Sequence, residues 1–457
     1  MRYNSYNVKY MKNQAVDSSR KEDATMENRQ KLVVFSADAM VFEDMELMRT
    51  LPNFSRYFAN ASGVNRVRSI YPSVTYPAHA TIASGLYPCH HGIVNNEVLC
   101  PGRTASPWNW FHDAVKGDDI FSAAKRAGLT TAAVFWPVTG NHPDIDYLVD
   151  EYWPQSPEES AHDAFLRAGT SEELLEKIVD PLLEGVTIRK HPVTDQLVVD
   201  CACEIIRNYQ PDLLMIHPAN VDAYRHETGL FTEKVAQGVR ETDQWLGQLI
   251  QATKDAGVFE QTNFILLSDH GQLDIRRVVN LNVFFRDEGL IQTDEAGNVT
   301  DYQVWSHSAA LSAQIYLKHP EDLALRNRVH RLLMRWVDEG IYGISKVFTA
   351  QEALEAEHVA GDFSFMVESD GFTSLGNGWM RPIVTSLDNS NYRLGRATHG
   401  HLPDKGPQPI FWAMGPAIRP NVVLERRPLV DEAPTFARIL GIDYGPCDGR
   451  AMDEILK

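Results

Sequence analysis

The sequence has little cysteine and little positive charge. Five cysteines (Cys89, Cys100, Cys201, Cys203 and Cys447) are scattered over 457 residues without a Cys-x-x-Cys pair. That excludes a thiolate zinc site and offers no disulfide framework, so a reducing compartment, the cytoplasm, is the expectation. Lysine and arginine number 43 against 61 aspartates and glutamates, giving a formal net charge of -18. A nucleic-acid polymer demands a basic face and is excluded as the main partner. No run approaches the roughly 18 consecutive apolar residues that span a bilayer, so no membrane partner is expected. Internal repeats and low-complexity tracts are lacking too. Residues 1–30 are polar and charged, without the apolar stretch of a signal peptide, and read as a flexible tail with Met26 as a candidate start.

What is present is an ordinary globular composition, 44% hydrophobic and 23% charged, in a chain long enough for two or three domains or for one large α/β domain with an insertion. Four apolar runs, in "KLVVFSADAM", "TTAAVFWPV", "PDLLMIHPA" and "NFILLSDHG", have the character of strands buried on both faces. Between them "QLVVDCACEIIRNY" and "EKVAQGVRETDQWLGQLIQAT" carry apolar residues at helical spacing. This alternation predicts a mostly parallel sheet with helices on both faces. After Gly271 the pattern changes to β-α-β-α-β, from "SAQIYLK" to "DFSFMVES", which predicts an inserted α+β subdomain. The predicted organisation is a first part of the catalytic domain at 31–272, an inserted cap at 273–395, and a completion at 396–457 that re-enters the sheet at "QPIFWAMGPAI".

Taken one at a time, the polar features have ordinary readings. Asp38 after a strand suits a turn or a cap, and Thr75 in "VTYPAH" suits a helix N-cap with Pro77 in the first turn. Asp222 and His226 stand at i and i+4, Asp269 and His270 close a strand, and His399 and His401 sit in "THGHLP". Jointly they say more. Asp38, Asp222 and the Asp269-His270 pair all follow the carboxyl ends of predicted parallel strands, the edge where open α/β sheets gather ligands. Carboxylates and imidazoles without thiolates form a donor set for two divalent ions, zinc or manganese, able to support in-line phosphoryl displacement. A threonine hydroxyl at a helix N-terminus then gains a second meaning, because a nearby metal activates it as a nucleophile while the helix end favours a phosphate.

With these residues in place the sequence resembles the type I phosphodiesterase and nucleotide pyrophosphatase family of the alkaline phosphatase superfamily. The resemblance covers most of 31–272 and 396–417 and leaves the insert unaccounted for. It implies an alkaline-phosphatase-like three-layer sandwich and two zinc ions. One ion would be held by Asp38, Thr75, Asp269 and His270, the other by Asp222, His226 and His399. It also implies that Thr75 is the nucleophile, forming a covalent phospho-threonine, and that Asn96 in "HGIVNNEV" supports the oxyanion. The step Trp136-Pro137 matches the family pattern, and Tyr76 stands where members place an aromatic residue that stacks on substrate. Trp136, Tyr76 and Arg225 are therefore expected to contact a small phosphoester or nucleotide substrate. His79, His90, His91 and His401 are expected to be structural.

Three positions depart from the family. Ala78 replaces a frequent Asn and leaves room that a substrate group could fill, Val74 replaces a Lys, and Glu97 stands where a basic residue is common. The loss of positive charge favours diesters or anhydrides over dianionic monoesters, unless Arg225, Arg103 or a residue of the insert makes up for it. The insert, placed just after Asp269 and His270, is expected to act as a cap that sets specificity. The alternatives within the superfamily are a phosphonoacetate-hydrolase-like C–P hydrolase and a phosphomonoesterase. Outside catalysis the alternative is a metal-binding sensor or scaffold, against which the intact Thr75 and Asn96 argue. The Cys-x-Pro-x-Arg sequence of sulfatases is absent.

Overall fold

The computed structural model describes residues 29–103 and 106–457. The tail predicted at 1–30 lies almost wholly outside the described residues. Eight strands form the central sheet: β1 (Lys31–Ser36), β2 (Ser62–Arg68), β3 (Thr131–Val134), β4 (Tyr147–Val149), β5 (Leu213–Ile216), β6 (Thr262–Leu267), β7 (Phe411–Met414) and β8 (Val423–Pro428). Their spatial order is β8-β2-β7-β6-β1-β5-β3-β4. All neighbours run parallel except β7, which is antiparallel to both β2 and β6. The central strand β1 is registered with Leu32 opposite Leu213 on one side and Lys31 opposite Thr262 on the other.

The alternation of side chains along β1 explains the layers. Val33 and Phe35 point into a core shared with Val198 of α2 (Val193–Tyr209) and with Leu246 and Leu249 of α4 (Glu233–Asp255). Leu32 and Val34 point the other way, against Ile82 of α1 (Thr75–Ser84) and Phe436 of α7 (Glu432–Leu440). Each such side chain contributes about 1.5–3 kcal/mol when fully buried. Helices on both faces thus leave only the ends of the strands open. The carboxyl ends of β1, β3, β4, β5 and β6 share one edge, and the site lies there.

The predicted strands and helices of the insert are present. With Val304–Ser308, a strand outside the predicted order, the three predicted strands form a four-stranded antiparallel sheet in the order Val304–Ser308, Ser312–Leu317, Phe365–Ser369 and Ile344–Thr349. Helices α5 (Leu323–Glu339) and α6 (Ala350–Glu357) pack against it. A three-stranded sheet of Thr373–Gly376, Arg277–Asn280 and Val384–Thr385 was not legible in the sequence. Its strands are only two to four residues long, too short to show a period. The chain closes on itself where Leu273–Asp274 pairs with Ala397–Thr398, directly before His399.

Candidate active site

Two groups of donors converge at the carboxyl edge. Asp38, Asp269 and His270 form one, and Asp222, His270 and His399 the other, each with ligand atoms within 4.8 Å of one another. Asp38 follows β1, Asp269 and His270 follow β6, and Asp222 lies in the first turn of α3 (Asn220–Thr228) after β5. His226 stands one turn further along α3, its Nε2 3.1 Å from Asp222 Oδ2. Its Nδ1 donates to the Ala397 carbonyl at 2.7 Å, which fixes the tautomer and leaves the Nε2 lone pair free. Asp38 Oδ1, Asp269 Oδ2 and His226 Nε2 are buried without a hydrogen-bond partner among the described residues. Unpartnered carboxylate and imidazole atoms facing one another under burial are the donor set of a divalent cation, so the residues fit the metal pair.

The electrostatics agree. Burial, and after it the Asp269 and Asp222 carboxylates, push the Asp38 carboxyl well above the usual range. Burial also works against a charge on Asp222, yet His226 and His399 hold its carboxyl below the usual range. Burial and the neighbouring His270 pull His399 well below its ordinary value, so it stands as a neutral donor. Acids crowded in a low-dielectric site gain most from bound positive charge.

Thr75 is the first helical residue of α1 and not its N-cap; that position is taken by Val74 in an extended conformation. Its Oγ1 lies 3.1 Å from His270 Nε2, which brings the hydroxyl to the donors shared by both groups. Asn96 Oδ1 accepts the Tyr76 backbone N–H at 2.9 Å. A backbone N–H can only donate, so the oxygen must face it and the amide nitrogen faces away. Asn96 is thereby braced against the first turn of the helix that carries Thr75. The turn between them rests on His91, whose Nε2 lies 2.9 Å from Thr81 Oγ1 while its Nδ1 accepts from Ile93 N, and on Gly92 at φ +84. His91 has a structural place, as do His79, held by Ser36 and the Thr75 carbonyl, and the exposed His90, paired with Asp448.

A cavity of about 640 Å³ opens over these groups, lined among others by Asp38, Thr75, Asn96, Asp222, His226 and His399. Tyr76, Trp136 and Arg225 do not line it, contrary to expectation. Each is essentially without exposed surface, at 0%. Tyr76 packs edge-on beneath Trp108, and Trp136 sits edge-on to His79 in the core. Arg225 is spent on Asp44 and the Ala39 and Leu230 carbonyls, bracing α3 to the loop after β1. Ala78 leaves no room for substrate either, since it is packed with Ile82 against the sheet. Arg103 is exposed and outside the lining residues.

Sequence reasoning missed several lining residues. His217, directly after β5, donates through Nδ1 to the Phe135 carbonyl at 3.3 Å and places Nε2 3.0 Å from Asp38 Oδ2. Its position at a strand end was the signal that could have found it. Glu151, two residues after β4, is pushed up to about 8 by burial, with Tyr76 and Arg189 opposing the shift. Gln272, buried behind the lining residues, donates to Asp222 through its side-chain amide and orients that carboxylate. Trp108, Trp153, Arg189 and Tyr392 complete the upper wall, Tyr392 stacking on His399 at 5.2 Å.

Glu97, the acidic departure from the family, is paired with Arg393 at 2.9 Å, both side chains at most 7% exposed. Arg393 also donates to Ser308 Oγ, so the pair ties the segment before His399 to the segment after Asn96. Replacing Arg393 with methionine strands a buried carboxylate, and a loss of about 3–5 kcal/mol is expected in urea unfolding. The double variant with Glu97→Gln should recover much of it. Gly400 is a second tight point: at φ +91, an added Cβ would meet the Ala309 carbonyl oxygen at 1.7 Å. Gly400→Ala must therefore shift the backbone where the segments of His399 and Ala309 meet, and zinc affinity at that group is expected to fall about 10- to 100-fold by calorimetric titration.

A third group, His112, Asp119 and His142, lies apart from the cavity. His142 Nδ1 accepts the Asp144 N–H at 3.0 Å, so in the neutral ring Nε2 carries the proton that it shares with Asp119 at 2.8 Å. Asp119 in turn caps helix Ile120–Arg126. This arrangement is a satisfied structural one.

A family model described as type I phosphodiesterase / nucleotide pyrophosphatase matches residues 32–383, more than half of the chain. The match runs on through most of the insert and stops short of His399. The chain is similar to a venom phosphodiesterase of Naja atra, 21% identical over 521 aligned residues that cover 95% of this chain and 56% of the relative. It is similar also to ectonucleotide pyrophosphatase/phosphodiesterase family member 1 of Homo sapiens, 24% identical over 414 residues, covering 79% of this chain and 40% of the relative. The chain thus spans about half the length of these curated relatives. Among solved structures, murine ectonucleotide pyrophosphatase/phosphodiesterase 5 superposes with a TM-score of 0.66 at 20% identity, over 94% of this chain and 100% of that one. An inactive form of the murine protein was solved in complex with AMP. At such identities the structural likeness speaks for the fold.

Proposed function

The chain belongs to the type I phosphodiesterase / nucleotide pyrophosphatase family, and from that premise we propose that it hydrolyses phosphodiester or phosphoanhydride bonds in small molecules with Thr75 as the nucleophile. The observation that carries the reading is the position of Thr75 Oγ1, 3.1 Å from His270 Nε2 at the start of a buried helix, with Asn96 braced on the same turn. Two divalent ions, most suitably zinc, would be held by Asp38, Thr75, Asp269 and His270 and by Asp222, His226 and His399, and would supply charge neutralisation and lower the pKa of the threonine hydroxyl.

The chain's own groups do the rest. Thr75 gives up its hydroxyl proton to solvent and its Oγ1 attacks phosphorus as the bond to the leaving oxygen breaks, and that oxygen takes up a proton from solvent. Asn96 Nδ2, turned away from the backbone by the bond its Oδ1 accepts, donates to the phosphoryl oxygen on which charge develops. The Tyr76 N–H is committed to Asn96 and acts by holding it. Water then attacks the phospho-threonine, transfers its hydroxyl to phosphorus and returns a proton to Thr75. Among the lining residues Arg189 is the single arginine and no lysine occurs, which favours a monoanionic reacting phosphoryl group over a dianionic monoester.

The test compares wild-type turnover of an aryl phosphodiester, an aryl phosphomonoester and phosphonoacetate after zinc loading. Diester turnover is expected to exceed monoester turnover by at least about tenfold. Phosphonoacetate cleavage without diester turnover would replace this reading with the C–P hydrolase alternative.

A further inference from the structure

The upper wall of the cavity carries a cation that the reaction above leaves unused. Asp38, Glu97, Glu151, Asp195, Asp222 and Glu227 all line the cavity, so carboxylates outnumber the lysine and arginine side chains that a polyanionic substrate meets there. Arg225 is committed to Asp44 and Arg393 to Glu97. Arg189 differs. Its guanidinium lies over the Trp153 ring at 4.3 Å from the centroid and 5.9 Å from that of Trp108, and among the described residues no carboxylate forms an ion pair with it, although its charge reaches Glu151. Stacking fixes the plane of a guanidinium while leaving its N–H edges free, the geometry that grips a phosphate with two hydrogen bonds.

The place of Arg189 is also defined. Trp108 pairs with Glu97 in a β-bridge, and Asn109 N donates to the Asn96 carbonyl at 2.8 Å, so the ring beside Arg189 is tied to the segment that carries Asn96. Arg189 itself is held at φ +68, a conformation that non-glycine residues adopt rarely and that clusters at ligand clamps. Two residues on, His191 lines the same cavity, and its Nδ1 lies 2.7 Å from Asp195 Oδ2. Asp195 Oδ1 accepts the Ala219 N–H at 2.8 Å, joining this loop to the entry of α3.

Resting on the hydrolase reading, we propose that Arg189 is a specificity-determining residue that binds a second phosphoryl group next to the one attacked, which makes a phosphoanhydride the preferred substrate class. The attacked phosphorus is served by Thr75, Asn96 and the donor clusters, and Arg189 serves its neighbour. The cation comes from the loop that precedes α2.

The test uses thymidine 5′-triphosphate and the 4-nitrophenyl ester of thymidine 5′-monophosphate, which share a nucleoside and differ in the second phosphoryl group. In zinc-loaded Arg189→Asn, a residue that tolerates positive φ, the ratio of kcat/KM for the triphosphate to that for the aryl ester is expected to fall about 10- to 100-fold. Arg189→Lys should recover part of it. Calorimetric binding of inorganic pyrophosphate should weaken about tenfold or more in Arg189→Asn, and binding of inorganic phosphate much less. An unchanged ratio, or an equal loss on both substrates, would overturn the assignment. Wild-type protein that turns over neither substrate would overturn the hydrolase reading instead, with the pyrophosphate titration still deciding the role of Arg189.

Discussion

Thr75→Ala is expected to lower kcat/KM for an aryl phosphodiester by about 10⁴-fold or more, the scale seen when a nucleophile is removed from an otherwise intact site. The fold should survive the change. Thr75 occupies the first helical position of α1, where alanine is well tolerated, and its side chain contributes no cap to that helix. Thr75→Ser keeps the oxygen and should retain measurable turnover, which separates loss of the hydroxyl from disturbance of the helix. Steady-state kinetics on the three proteins, with circular dichroism as a control for folding, checks both parts. Full activity in Thr75→Ala would remove threonine from the chemistry.

Removing the metal is expected to have the second largest effect. Excess chelator should lower turnover by at least about 10³-fold, and zinc or manganese should restore it. The same treatment should lower the melting temperature, because ions bound to the folded state alone stabilise it and their removal leaves Asp38, Asp269 and Asp222 facing one another. Asp222→Asn offers a chemical version of the experiment. The amide keeps the shape of the side chain beside Gln272 and His226 but removes its charge, so one ion should be lost and turnover should fall about 10²- to 10³-fold. Metal content by mass spectrometry of the intact protein reads the stoichiometry directly. Unchanged turnover in a sample shown to be metal-free would contradict the two-ion site.

Much of the frame could be read from the chain because strands buried on both faces leave continuous apolar runs. Leu32–Phe35, Leu213–Ile216 and Phe264–Leu267 all did so. The strands at β2 and β8 did not: "SGVNRVR" and "VLERRP" carry arginines because these strands lie toward one margin of the sheet and are partly exposed. The donors were legible for a related reason. Asp38, Asp222, Asp269 and His270 each follow a clear strand, and chain order alone sends those positions to one edge. Which other side chains line the cavity was not legible, since that depends on which way a side chain turns. Tyr76 is next to Thr75 in sequence, yet helical geometry rotates it away beneath Trp108. Arg225 stands between Asp222 and His226 but on another side of α3, where Asp44 takes it. Arg189 lies in a loop without any periodic signal, and only folding brings it to the two tryptophans.

The most direct measurement is peptide mass spectrometry of acid-quenched protein during steady-state turnover of a phosphodiester. The expected result is a peptide spanning Thr75 that carries the phosphoryl fragment of the substrate on the threonine oxygen, and that loses it when turnover is allowed to finish. An adduct on any other residue, or turnover at full rate with Thr75 never modified, would contradict nucleophilic catalysis by Thr75.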